Sequence, residues 1–573
     1  MRRLALLPLL LLATAARAAV PAPAACTQPP PGSTVPEPAD LRSRDGVLEL
    51  DLFARNVPRG SQPARYCFET ADGTPAPTLR VRPGDLLVLR LHNELHGGRA
   101  GTGHVHGHAA GGAGDPCTSA VMSPLSTNLH FHGLTVPPVC HQDEVLRTSV
   151  QPGDPPFEYR LRIPRDEPPG LYWYHPHIHG FSSLQVLGGA SGALVVEGIE
   201  RAYRQLAGLP ERVLVIRDQD LVNPDASPSR SEPVVPKMMI DRDGDAANNG
   251  TGFGKPAKDL SVNAVPVPFP DYPPARMAVR PGEQQLWRVL NASAVTYLNL
   301  ALLFGRTPQP LGIVALDGVP LNTAGERAGG IQWRDHLGIP PGGRVEFLMT
   351  TPPLQTPALL VTRTVDTGAG GENDPNRALV SVSASTDAPP LRAHLEAQPA
   401  ALPAPTRPWL GDVRPVRVRH LYFSEELSDP SNPNSAVKFF ITADGATPKA
   451  FDPAATEPDI VVHAGEVEDW VIENRSGELH AFHIHQLHFL LLEWSGQPVD
   501  EPFLRDTVNV PYFNGRTLQY PSVRLRMDFR DPDSVGTFVY HCHLLEHEDG
   551  GMMGTIRVEP PVAAAPQQDG AAH

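Results

Sequence analysis

The sequence predicts an all-β protein made of consecutive Greek-key β-sandwich domains. Apolar runs of strand length, such as LLVLRLHNEL, RVLVIRD, QLWRVLNAS and VEDWVIEN, are bounded by Pro, Gly or Asn. The 65 prolines and 50 glycines are spread along the chain, which suits many short strands joined by turns better than long helices. A chain of 573 residues has room for roughly three to four such domains.

The N-terminus is expected to be an export signal rather than part of the folded protein. Arg2 and Arg3 precede the apolar run LALLPLLLLATAA, and Ala16-Arg17-Ala18 forms a small-residue cleavage site, so the signal peptide covers residues 1–18. The run is too short for a permanent anchor, and no later segment is apolar enough to span a membrane. We therefore expect a soluble exported protein, periplasmic or secreted, and both the general secretory and the twin-arginine routes stay open.

Cysteine usage and charge agree with export. Apart from Cys542, the chain has Cys26, Cys67, Cys117 and Cys140, an even number that suits two disulfides in an oxidising compartment. Three connectivities are possible, and the sequence does not choose among them. The net charge of −15 argues against nucleic-acid binding and mildly favours cationic donors or metal ions as partners.

Histidines occur in pairs, which indicates metal binding. The 23 histidines form seven His-x-His pairs, several times the number expected for a random order. Five of these pairs lie in four segments that we interpret as strands, namely NLHFHGL, LYWYHPHIHG, HAFHIHQLHF and YHCHLLEH. Side chains at positions i and i+2 of a strand share one face, as a metal cluster between sheets requires.

The segment His541-Cys542-His543, followed by His547 and Met552, is the most informative in the chain. Two histidines, one cysteine and a weak axial methionine are the ligands of a blue-copper electron-transfer site. In an extended segment His541 and His543 point to one side and Cys542 to the other. One tripeptide can therefore contact two metal sites, which is the arrangement of an oxidase.

With these motifs the sequence resembles the three-domain multicopper oxidases, a family that includes laccases, spore-coat and bilirubin-type oxidases and periplasmic cuprous oxidases. All four histidine motifs occur in the family's order, and HCHLLEHEDGGMMG is the most specific of them. The resemblance implies three consecutive cupredoxin-like domains, four copper ions per monomer, and one-electron oxidation of a donor coupled to reduction of O₂ to water.

The resemblance also implies which residues bind each copper ion. Type 1 copper would bind His480, Cys542 and His547, with Met552 as axial ligand. Type 2 copper would bind His130 and His483. The type 3 pair would bind His132, His175 and His543 on one ion, and His177, His485 and His541 on the other. Met553, the neighbour of the axial methionine, is assigned to packing.

Two carboxylates are candidates for proton transfer, because reducing O₂ to water consumes four protons. Glu548 follows His547 and matches a carboxylate with which bacterial family members relay protons. Asp143, eleven residues after His132, lies where the family places an acid near the type 2 copper, although the intervening PPVCHQ differs between subgroups. A solvated or capping carboxylate is the alternative for both.

Other histidines lie outside the ligand set. His179 and His488 are next to ligand motifs and are expected to be structural or to support the ligands. His104, His106 and His108 fall in the glycine-rich segment HGGRAGTGHVHGHAAGGAGD, which is predicted to be a loop. That loop is either a solvated insertion or a weak collector of copper ions.

Domain boundaries follow from composition and from the motifs. The first cupredoxin-like domain is expected at residues 40–200, and a second one without copper ligands at 205–390. A Pro/Ala-rich linker at 391–411 precedes the third domain, 412–560, which supplies the type 1 copper ligands. The tail 561–573 reads as disordered.

The electron donor is less well defined than the reaction. Phenols and aromatic amines are favoured, because cuprous oxidases often carry a methionine-rich insertion and this chain has only nine methionines. The alternative is a metal oxidase for Cu(I), Fe(II) or Mn(II), and a third interpretation is copper sequestration without turnover. The sequence does not determine the oligomeric state.

Overall fold

The structure is a computed structural model, and it describes most of the chain with gaps at both ends and within loops. The described residues are 25–59, 62–97, 115–119, 121–227, 254–322, 330–400, 406–432, 435–443 and 445–561. The expected signal peptide, the expected loop with His104 to His108 and residues 562–573 of the expected C-terminal tail lie outside these ranges.

The prediction of an all-β protein is confirmed, since 43% of the residues are in strands and 6% in helices. The strands form three groups in chain order. The first group comprises β1 (Asp40–Arg42), β2 (Val47–Arg59), β3 (Gln62–Glu69), β4 (Thr78–Val81), β5 (Leu86–Asn93), β6 (His130–His132), β7 (Phe157–Arg162), β8 (Gly170–His175) and β9 (Gly192–Val196). Helix α1 (Ser182–Leu187) lies before β9, and α2 (Ile199–Ala202) follows it.

The middle group has two sheets and a cis peptide bond between Phe269 and Pro270. Its strands are β10 (Glu211–Gln219), β11 (Asp259–Val262), β12 (Val265–Val267), β13 (Ala275–Val279), β14 (Gln284–Asn291), β15 (Leu298–Phe304), β16 (Thr307–Pro308), β17 (Leu311–Leu316), β18 (Val319–Pro320), β19 (Gln332–Arg334), β20 (Leu337–Ile339), β21 (Arg344–Thr350), β22 (Ala358–Thr362) and β23 (Arg377–Ala384).

The third group also has two sheets and holds a short helix, α3 (Leu545–Asp549). Its strands are β24 (Arg417–Leu427), β25 (Val437–Ala443), β26 (Ile460–His463), β27 (Val467–Asn474), β28 (His480–Ile484), β29 (Phe489–Trp494), β30 (Gln497–Pro498), β31 (Leu504–Arg505), β32 (Thr507–Val510), β33 (Ser522–Asp528), β34 (Gly536–Cys542) and β35 (Met553–Glu559).

Each group builds a pair of sheets from its own strands. The first group forms sheets of order β1-β4-β9-β8-β6 and β3-β2-β5-β7, and the third forms β26-β35-β34-β28-β32 and β25-β24-β27-β33-β29-β30. Strand β2 shows why these segments are strands. Its even-numbered side chains Leu48, Leu50, Leu52 and Ala54 are all buried, whereas the intervening ones are partly exposed or exposed.

Apolar cores fill the space between paired sheets and also join the groups. A separate cluster packs Leu171 and Trp173 of β8 against Val213 and Val215 of β10. The largest core belongs to the third group, yet it includes Tyr297 of the middle group. The side chains of all three groups are therefore in contact across their boundaries.

The two expected disulfides are formed, and the structure selects the connectivity. Cys26 is bonded to Cys67, and Cys117 is bonded to Cys140, while Cys542 is a free, buried thiol. Among the described residues no helix is long and apolar enough to cross a membrane.

Candidate metal centre

The histidine motifs lie on or directly after neighbouring strands of two sheets, where strand pairing sets them opposite one another. In the first group β6 runs antiparallel to β8, and His130 is the register partner of His175. In the third group β28 runs antiparallel to β34, and His483 is the partner of His541. Strand β8 ends at His175 because Pro176 cannot donate the next ladder hydrogen bond.

Eight histidines from the two sheets converge at one buried site. The rings of His130 and His485 stack at 3.7 Å between centroids, and those of His132 and His483 stack at 3.9 Å. Every one of the eight side chains is nearly or fully buried. The set consists of His130, His132, His175, His177, His483, His485, His541 and His543.

Potential donor atoms within this cluster lie close enough to share metal ions. His177, His485 and His541 form one group whose nitrogens lie within 4.8 Å of one another, as do His130, His483 and His485, and also His130, His132 and His175. The ring of His543 lies 5.0 Å from that of His132. The structure thus brings together all eight histidines that the sequence motifs singled out.

The chemistry of the cluster fits a metal better than a hydrogen-bonded core. One ring nitrogen on most of these histidines is buried without any hydrogen-bond partner, which is costly in a folded protein unless a ligand pairs with it. The unpartnered atoms are Nε2 of His130, His175, His177 and His483, Nδ1 of His132 and His485, and both nitrogens of His543.

Electrostatics keeps these histidines neutral, the form that binds a metal. Burial lowers the pKa of His175 to about 3 and that of His541 to about 4. Burial, reinforced by the neighbouring histidines, holds the pKa of His130, His483 and His485 well below the usual value. The cluster therefore presents lone pairs rather than protons near neutral pH.

A second donor set lies on the other side of the backbone of β34. Cys542 Sγ is 3.5 Å from His480 Nδ1 and 3.9 Å from His547 Nδ1, and the two Nδ1 atoms are 3.3 Å apart. Met552 is fully buried in the same core, and its carbonyl accepts a hydrogen bond from Cys542 N at 3.1 Å. Met553 instead packs with Val539 in a separate cluster.

Comparisons with known proteins agree with this geometry. Two family models described as multicopper oxidase match residues 119–201 and 427–562, the segments that contain both donor sets. An iron transport multicopper oxidase FET3 of Gibberella zeae is 24% identical over 517 residues, covering 85% of this chain and 72% of that protein. The chain belongs to the multicopper oxidase family. It is therefore an oxidoreductase that binds copper and uses O₂.

Two other proteins similar to this multicopper oxidase are described differently, one as a laccase and one as a metallo-oxidase. A laccase of Haloferax volcanii is 36% identical over 104 residues, which is 17% of this chain and 16% of that protein. A structure described as a metallo-oxidase from Campylobacter jejuni superimposes with a TM-score of 0.62, at 22% identity and covering 93% of this chain and 96% of the other. That likeness shows the shared cupredoxin fold.

In this multicopper oxidase, a carboxylate contacts each of the two histidines beside Cys542, His480 and His547. Glu425 Oε1 lies 3.2 Å from His480 Nε2, and Glu478 Oε1 lies 3.2 Å from His547 Nε2. Burial alone would lower the pKa of His480, but the Cys542 thiolate and Glu425 outweigh burial and raise it to about 9. Burial would likewise raise the pKa of Cys542, and the two histidines instead lower it to about 6.

These two carboxylates were not found from the sequence. Glu478 lies two residues before His480, just ahead of β28, so its position next to a histidine motif was a signal available in the sequence. Glu425 is on β24, 55 residues away, and only the fold brings it to the site.

Asp143 lies beside His130 at the eight-histidine cluster. Both carboxylate oxygens are 3.0 Å from His130 Nδ1, and Phe131 N donates to Oδ1 at 2.9 Å. The side chain amide of Gln486 also donates to this carboxylate. The contact with Nδ1 leaves Nε2 of His130 as the nitrogen that faces the cluster.

Glu548 lies between histidines of the first and third strand groups. Its carboxylate is 3.7 Å from His177 Nδ1 and 3.6 Å from His541 Nδ1, and Ser182 Oγ donates to it at 3.1 Å. The side chain is fully buried, and burial raises its pKa well above the usual value. A carboxyl group in this place can hold a proton beside the cluster.

The two additional histidines occupy supporting positions. His488 Nε2 donates to the carbonyl of Asp317 at 3.0 Å, and the ring of His179 packs edge-on against Phe451 at 4.9 Å. Asp506 and Arg344, which the sequence did not single out, are fully buried next to the cluster.

Proposed function

We propose that the two donor sets are a type 1 copper site and a trinuclear copper site. The convergence of eight buried histidines with unpartnered nitrogens is the observation that carries this proposal. The type 1 ligands would be His480, Cys542, His547 and the axial Met552. His130 and His483 would bind type 2 copper. The type 3 ions would be held by His132, His175 and His543, and by His177, His485 and His541.

Bound copper supplies one-electron redox chemistry at the Cys542 site and reduction of O₂ to water at the histidine cluster. The chain itself supplies the connection between them. Cys542 lies between His541 and His543 in sequence, so a single tripeptide links the two sites. Glu548 lies beside His177 and His541, and Asp143 lies beside His130, so both carboxyl groups can hold a proton close to the cluster, where O₂ reduction would consume protons.

For the donor, we propose a hard divalent metal ion, Fe(II) or Mn(II), ahead of phenols and aromatic amines. Glu425 and Glu478 contact the outer nitrogen of both type 1 histidines, so a cation held by either carboxylate would be one imidazole ring from the site. Carboxylate oxygens suit hard cations, whereas Cu(I) prefers thioether and thiolate ligands. The names of the iron-transport and metallo-oxidase relatives support the same donor class.

A laccase-like activity is the second candidate, and in it Glu425 would have a different role. Glu425 is 21% exposed, so its carboxylate can accept the proton that a phenol loses on oxidation. The match to a laccase over 104 residues supports this candidate.

The test is oxygen uptake by the copper-loaded protein with Fe(II), Mn(II), Cu(I) and phenols in parallel. We expect Fe(II) or Mn(II) to be oxidised fastest, and Glu425→Gln with Glu478→Gln to raise KM for these ions about 10-fold or more, since two charged ligands are lost. Phenol oxidation should change less. Glu493→Gln, which removes a partly exposed carboxylate paired with Arg524, is the control. Unchanged KM values for metal ions in the double variant would reject the metal-donor proposal.

Export to the periplasm or beyond also remains a proposal. The two disulfides support it, because such bonds persist in oxidising compartments. The N-terminal sequence of the protein isolated from its native cells should begin after Ala18, and an intact Met1 would reject cleavage at that site.

A further inference from the structure

We propose that Arg344, a residue of the middle strand group, is a positioning residue for the trinuclear site and acts through Asp506. The inference rests on the proposed copper-binding function of the histidine cluster. No copper ligand was expected from the middle group. The contacts of Arg344 give this group a direct part in forming the cluster.

Arg344 begins β21 and makes a two-point ion pair with Asp506, between β31 and β32. Its Nη1 donates to Oδ1 at 2.8 Å and its Nη2 donates to Oδ2 at 2.7 Å. Such a fork fixes the plane of the carboxylate as well as its place. Both side chains are fully buried, so no water competes for the contact.

The remaining donors of Arg344 bind backbone carbonyls of the first and middle groups. Nε donates to Leu171 O at 3.1 Å, on β8, and Nη2 donates to Asp317 O at 2.9 Å. The guanidinium thus connects β8 of the first group, a turn of the middle group and Asp506 of the third. Its orientation is set by all three.

Asp506 in turn determines, for each of two histidines in the cluster, which ring nitrogen remains available to bind a metal. Its Oδ1 lies 3.2 Å from His132 Nε2, and its carbonyl lies 2.9 Å from His483 Nδ1. Carboxylate and carbonyl oxygens only accept, so the facing nitrogens carry the hydrogen. Nδ1 of His132 and Nε2 of His483 are left as lone pairs, and both are buried without a partner.

The turn that precedes Arg344 lies against a third histidine. Gly342 has a φ of +83°, and a Cβ added to it would be 2.7 Å from His543 Nε2. A Cβ at Gly133, directly after His132, would collide with the guanidinium of Arg344. The close backbone approach on both sides is independent evidence that the middle group packs directly on the site.

Loss of the Arg344 fork should therefore loosen copper at the cluster and leave the Cys542 site intact. Removing a partner that orients a metal ligand typically lowers metal affinity by about 10- to 100-fold. We expect that loss in Arg344→Met for cluster copper, measured by equilibrium dialysis, together with a changed type 2 signal in electron paramagnetic resonance. The blue type 1 absorption should keep its wavelength and intensity.

Arg288→Met is the matched control for loss of a buried arginine. Arg288 is fully buried in the neighbouring strand of the same sheet, where it pairs with Glu211 and Glu346. The Arg288→Met variant should have a lower free energy of unfolding but an unchanged copper affinity at the cluster. Arg344→Lys keeps the charge but not the two-point contact, so it should fold and still show the changed type 2 signal.

The outcomes separate this inference from the proposed function. If wild type takes up no copper at the cluster, the proposed function itself is wrong. If wild type is loaded and both Arg344 variants keep its cluster affinity and type 2 signal, the positioning role is overturned. Equal loss of cluster copper in Arg344→Met and Arg288→Met would also overturn it, because the effect would then be general destabilisation.

Discussion

Glu548 has the contacts expected of a proton carrier for the cluster. It is fully buried, accepts a hydrogen bond from Ser182 and lies near His177 and His541. We predict that Glu548→Gln keeps the blue colour and lowers turnover about 100-fold, since general acid–base groups typically contribute at least that much. Stopped-flow reduction of the type 1 site and steady-state oxygen uptake would measure the two effects. Unchanged turnover across the pH range would reject the relay.

Glu167 gives a prediction about stability that does not involve copper. Burial raises its pKa to about 8, although Thr135 N donates a hydrogen bond to it. The folded chain therefore holds a proton that the unfolded chain releases above its ordinary pKa of 4.5. As pH rises from 4.5 towards 8, this group should lower the free energy of unfolding by up to about 1.4 kcal/mol per pH unit.

Glu167→Gln should remove that contribution. The difference in melting temperature between the variant and wild type should grow in favour of the variant between pH 6 and pH 8. A difference that stays constant over this interval would mean that Glu167 is not protonated in the folded protein at pH 6.

Single residues also show where sequence reasoning succeeds and where it stops. Each histidine motif is a local pattern, so the sequence alone singles out His130, His483 and Cys542, which the structure places in the two donor sets. Asp506 and Arg344 carry no local signal, because 162 positions separate them and the fold alone makes them partners.

At the scale of elements, the loop after β6 is held by a disulfide. Cys140 is bonded to Cys117 and lies three residues before Asp143, which contacts His130. Replacing Cys117 and Cys140 by serine should lower the free energy of unfolding by roughly 3 kcal/mol, as expected for a closed loop of this size. It should also alter the type 2 spectroscopic signal, because Asp143 is then less firmly placed.

The other disulfide provides the comparison. Replacing Cys26 and Cys67 by serine removes a disulfide that is distant in sequence from the histidine motifs. The type 2 signal of that variant should be the same as in wild type. Identical type 2 spectra in both double variants would show that the Cys117–Cys140 bond does not position Asp143.

Strand-like segments were predictable as elements, but their ends were not. The alternation in β2 and the apolar runs give strands, as expected from period-two burial. Strand β8 ends at His175, so β-sheet hydrogen bonds do not hold His177. Its backbone N–H instead donates a hydrogen bond to the side chain of Asn128. Histidines at i and i+2 reach the same cluster even where the strand does not continue.

At the scale of the whole molecule, each pair of sheets is built from one of three consecutive strand groups. The exact domain boundaries at residues 40–200, 205–390 and 412–560 remain predictions. The cluster draws its histidines from the first and third groups, so those groups must be held in register for copper to bind. Contacts of that kind, which join residues hundreds of positions apart, are what a single sequence does not reveal.

Cys542 and the eight histidines are proposed to form two connected copper sites. The most direct measurement is the copper content and visible spectrum of wild type and Cys542→Ser. We predict one type 1, one type 2 and two type 3 copper ions in wild type, with an intense blue absorption. The variant should lose one copper ion, the blue absorption and oxygen uptake. A wild-type protein without blue absorption, or a serine variant that keeps it, would contradict the assignment of a copper site to Cys542.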